Sequence, residues 1–198
     1  MKRLFLLVVC CLCGLNVFSQ KKIDSWSCSY FNKEYDIECS SLNEKGEFDL
    51  YIEISGESST RKANLNIASN NIPLLIEFLS KIKDKYEEWG RIAKENNVSD
   101  TSKDMDFISP RLTVCWFGSK WWFSFNQRLT PKFIVLNDGT SVVSMYKKVS
   151  SSSNEYIDQK VYWVFNSPNE IGELINKIQP ERLLEKLKEE KKASDLFK

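Results

Sequence analysis

Between Glu47 and Ile54, apolar and polar residues alternate: Phe48, Leu50, Ile52 and Ile54 fall on one side, Glu47, Asp49, Tyr51 and Glu53 on the other. A period of two sends successive side chains to opposite faces of a pleated chain, so the segment predicts a half-buried strand. A turn at Asn43-Glu44-Lys45-Gly46 would set Ile37 opposite Ile52 and Cys39 opposite Leu50, keeping the apolar faces together. Ala63, Leu65 and Ile67, alternating with Asn64 and Asn66, predict one more strand.

The period then changes. Ile72, Leu75, Ile76, Leu79, Ile82, Tyr86, Trp89 and Ala93 recur every three or four residues with charges between them, which predicts a long amphipathic helix. Asn70 or Asn71 is placed to cap it, Pro73 fits its first turn, and Asn96-Asn97 ends it. Val98 to Ser109 is polar and aperiodic and reads as a linker.

Strand patterns return at Arg111–Phe117, Lys120–Asn126, Lys132–Leu136, Ser141–Val149 and Tyr156–Phe165, with Asn137-Asp138-Gly139 as a hairpin turn. Ser167-Pro168-Asn169-Glu170 is a capping box with proline at the first helical position. Ile171, Leu174, Ile175 and Ile178 follow it at helical spacing. Pro180 opens a last helix carrying Leu183, Leu184 and Leu187. The pattern predicts an α+β fold: an antiparallel, meander-rich sheet of about seven to nine strands, one long central helix and C-terminal helices.

The densest stretch is Cys115–Asn126, which holds three tryptophans and three phenylalanines. Gly118-Ser119 reads as a two-residue type II′ turn. That register sets Trp116 opposite Trp121, Val114 opposite Phe123 and Leu112 opposite Phe125, so all six share an apolar face whose composition is that of a core. Phe117, Lys120 and Trp122 fall on the other, mixed face. With Tyr51 on the polar face of the first sheet, they are the candidate binding residues.

Before the first strand, Met1-Lys2-Arg3, an uncharged run from Leu4 to Phe18 and the exit Ser19-Gln20 have the order of a secretory signal. Residues 1–19 are therefore read as a signal peptide and 20–198 as a single α+β domain, with a subdomain boundary near 98–109 as the alternative. Val9 before Cys10 fits a lipoprotein site poorly, so the expected location is periplasmic or extracellular rather than lipid-anchored. No second apolar run approaches spanning length, so no transmembrane segment is expected in the mature chain.

Without Lys2 and Arg3 the basic residues fall from 28 to 26 against 27 acids. That near-neutral balance lacks the basic footprint of a nucleic-acid binder. Histidine is absent, which removes the usual general base and the commonest metal ligand. No phosphate-cradling loop, zinc-type cysteine pair, nucleophile elbow or dinucleotide fingerprint occurs, and Asp104-Met105-Asp106 lacks the glycine and closing glutamate of a calcium loop. No catalytic residue, metal or cofactor is assigned.

Of the three cysteines past the leader, a turn centred on Lys33-Glu34 would bring Cys28 opposite Cys39, within disulfide reach; the alternative is two small buried thiols. These readings converge on an exported, non-catalytic protein that binds a protein partner or cell-surface component. The alternatives are a carbohydrate-recognition module stacking sugars on Trp122 and Phe117, and a hydrolase using carboxylates from separate strands.

Overall fold

A computed structural model describes residues 20–57 and 62–195. The signal peptide expected at residues 1–19 lies outside them. The strands are β1 (Lys21–Cys28), β2 (Lys33–Cys39), β3 (Asp49–Gly56), β4 (Lys62–Ala68), β5 (Thr101–Asp104), β6 (Leu112–Phe117), β7 (Trp121–Gln127), β8 (Lys132–Val135), β9 (Ser141–Ser151) and β10 (Asn154–Phe165). The helices are α1 (Ile72–Glu95), α2 (Pro168–Lys177) and α3 (Pro180–Asp195). The fold is α+β, as the two periodicities predict.

All ten strands belong to one antiparallel sheet, whose main path runs β5-β8-β9-β10-β3-β4-β6-β7. Strand β3 is its branch point. One edge pairs with β4; the other pairs with β2 from Leu50 to Ile52 and with β10 at Ser55 and Gly56. Ile37 faces Ile52 and Cys39 faces Leu50, the register set by the apolar pattern. The β1–β2 and β9–β10 ribbons diverge from this edge, and large aromatics fill the wedge. Trp26 stacks on Tyr35 at 5.0 Å and lies 5.6 Å from Phe165, while its Nε1–H donates to the Glu53 carbonyl at 3.0 Å.

The far end of the sheet curls back. The Ser152 N–H, at the β9–β10 tip, donates to the Phe123 carbonyl at 2.8 Å, and the Phe125 N–H donates to Ser152 Oγ at 3.0 Å. The outer edge of β7 is thereby capped at its centre by another part of the chain.

Helix α1 buries Ile72, Leu75, Leu79, Ile82, Tyr86 and Ala93 of the expected stripe, together with Phe78, while Ile76 is only partly buried. Each fully buried leucine or isoleucine contributes roughly 1.5–3 kcal/mol of transfer free energy. Trp89 continues that stripe in contact with Phe133, at 5.7 Å between ring centroids. No side-chain cap starts α1; a 3-10 turn at Ser69–Asn71 leads into it instead.

Ser167 caps α2 by accepting from the Glu170 N–H at 3.3 Å. Glu170 in turn accepts from the Asn166 N–H at 2.7 Å and the Ser29 N–H at 3.0 Å, so the capping box also holds the β1–β2 turn.

Two expectations are corrected. The segment read as an aperiodic linker contains β5, which pairs with β8, and Met105, which is buried in the core. Short edge strands of polar residues carry no alternation to detect. The Cys28–Cys39 bridge is also absent. A 3-10 turn at Ser29–Phe31 lets Cys28 pair with Lys33, and Cys39 pairs with Lys21. The two cysteines thus sit at opposite ends of a ribbon, about 20 Å apart by strand rise, and both are free thiols.

Candidate binding face

The aromatic hairpin turns one residue later than a two-residue loop requires. Phe117 pairs with Trp121, leaving Gly118-Ser119-Lys120 as a three-residue loop closed by the Gly118 N–H donating to the Lys120 carbonyl at 2.9 Å. A type II′ turn needs positive φ at its first central residue, and Gly118 is not among the residues that adopt it. Because side chains alternate with period two, this slip transfers the β7 side chains from Trp121 to Phe125 to the opposite face; a bulge at Asn126 then returns Gln127 to Leu112.

Leu112, Val114 and Trp116 keep their place in the core, with Trp116 only 1 % exposed. Their β7 neighbours on that face are Trp122 and Ser124, not Trp121, Phe123 and Phe125. Those three turn outward with Phe117, at 37 % exposure for Trp121, 42 % for Phe123, 54 % for Phe125 and 47 % for Phe117. Phe117 and Trp121 meet edge to face at 5.6 Å, and the Phe123 and Phe125 rings lie nearly parallel at 6.2 Å. Together they present an outward ladder of four aromatic rings.

Among the residues proposed from sequence, Phe117 stands in this ladder. Trp122 does not: it is half-buried and packs against the core, with its indole Nε1 3.2 Å from where a Gly118 Cβ would stand. Lys120 covers the outer side of that indole, with Nζ 4.5 Å from the ring centroid. Tyr51 shares the ladder's sheet face, because Tyr51 pairs with Asn66 and Asn66 with Thr113, but it is 8 % exposed and offers little contact area.

The same face carries a row Glu53–Asn64–Cys115–Phe123 from β3 to β7. Burial pushes the Cys115 thiol up to about 12 and raises Asp49 and Tyr51 above their usual ranges. Glu53 is held by Lys33 at 3.4 Å, by Lys62 at 3.9 Å and by the Asp36 N–H at 3.2 Å. A carboxylate so engaged is a structural counter-ion.

Trp121, Phe123 and Phe125 were assigned to the core by the shorter turn, so their exposure was missed. A second signal was in the sequence: no acidic residue occurs between Asp106 and Asp138, while Arg111, Lys120, Arg128 and Lys132 are basic. Lys132 pairs with Asp104 at 3.5 Å. Arg111, Lys120 and Arg128 make no ion pair among the described residues. Lys120 stands at the turn; Arg111 and Arg128 stand at the open end, next to the paired Leu112 and Gln127.

Among the described residues no group of three or more histidine, cysteine, aspartate or glutamate side chains is placed to hold a metal, and no helix is long and apolar enough to cross a membrane. Neither a family model, nor a curated protein, nor a solved structure matches this chain.

Proposed function

We propose that this chain is an exported, non-catalytic binding protein that docks on a protein or other component of the cell envelope through Phe117, Trp121, Phe123 and Phe125. The observation that carries the reading is the outward ladder itself. Aromatic rings clustered at the centre of a patch are the residues that dominate binding energy at interfaces. The leader-like order of residues 1–19 supports export.

The capped edge of β7 narrows the mode of binding. With the Phe123 carbonyl and the Phe125 N–H already bonded to Ser152, a partner strand has no continuous ladder to extend. Recognition proceeds through ring faces and edges. The saccharide alternative keeps Phe117 as a stacking ring but loses Trp122, and three of its four rings would be phenylalanine, without a polar handle. A protein or envelope surface suits that composition better.

The test is photo-crosslinking in producing cells, with a benzophenone amino acid placed at Phe125 or, as a control, at Lys94 on the exposed side of α1. Adducts from position 125 that vanish with Trp121→Ala, and are absent from position 94, are the expected result. Equal labelling from both positions, or none from position 125, overturns the proposal.

A further inference from the structure

We draw no further inference here: the strongest candidate, the outward face of the β6–β7 hairpin bearing Phe117, Trp121, Phe123 and Phe125, belongs to the site already described, and nothing in the structure shows what covers it.

Discussion

Phe117 stands directly across the hairpin from Trp121, ring against ring at 5.6 Å and 69°. A two-residue turn would instead have paired Trp121 with Trp116, which is sealed in the core. Everything on the binding face follows from that pairing, because a strand's side chains change sides together.

The clearest check is a contrast between neighbours. Trp122→Ala removes a half-buried indole that packs on the core and should cost about 2–3 kcal/mol in urea unfolding. Phe125→Ala removes a ring more than half in solvent and should cost less than about 1 kcal/mol. Equal costs, or the reverse order, would mean that the hairpin turns elsewhere.

Asp24 is the central tie between helix α3 and β1, beside the Lys186 bond to the Ile23 carbonyl and the Lys21–Glu190 pair. Asp24 accepts from Lys186 at 2.7 Å and Arg182 at 2.9 Å, with Lys177 at 3.9 Å. Burial by itself would raise this carboxyl, but the Lys186 bond, the Ser25 N–H and the nearby cations outweigh it and hold it below the usual range. A carboxylate depressed in the folded state adds stability above its unfolded value of about 3.9 and loses it as pH falls through the folded value. Asp24→Asn should therefore cost about 1–2 kcal/mol at neutral pH, and its gap to the parent should close as the pH is lowered from about 5 towards 2. A gap constant across that range would contradict the assignment.

The three buried thiols are testable directly. Cys28 donates to the Val164 carbonyl at 3.2 Å and Cys115 to the Asn64 carbonyl at 3.6 Å, and burial pushes both Cys39 and Cys115 up to about 12. At pH 7 a thiol of that kind is ionised to about one part in 10⁵. Maleimide should label none of the three in the native protein and all three in denaturant, by intact mass. A mass two units low, from a bridge, would refute the register of β1 with β2.

Glu170 joins the start of α2 to the β1–β2 turn through the Ser29 and Asn166 N–H groups. Glu170→Ala hands both N–H groups to water and should cost about 1 kcal/mol. Amide exchange should accelerate at Ser29 and Asn166 while α1 stays protected. If exchange quickened evenly across the sheet, the bridge would not be a local tie.

How much was legible from the sequence depended on the size of the signal each element carries. The stripe from Ile72 to Ala93, the capping box at Ser167 and the pairing of Ile37 with Ile52 follow from local patterns: helical spacing, a cap motif and an apolar face that must stay together. Strand β5, with four exposed polar residues, carried no such pattern and exists only because β8 offers it an edge. The Cys28–Cys39 pairing failed because a 3-10 turn at Ser29–Phe31 moved the reversal point, and the Ser29 N–H there bonds Glu170 from the far end of the chain, a contact with no local signature.

Alternation along Leu112–Gln127 dictates a two-faced ribbon whichever register the hairpin takes. Which rings were sealed was a tertiary decision. Period two gives the same alternation in either register, and the bury-or-expose outcome changes with a single residue in the loop. The packing of Trp122 against the core beneath Gly118 selected the longer loop, and so placed Trp121, Phe123 and Phe125 in water.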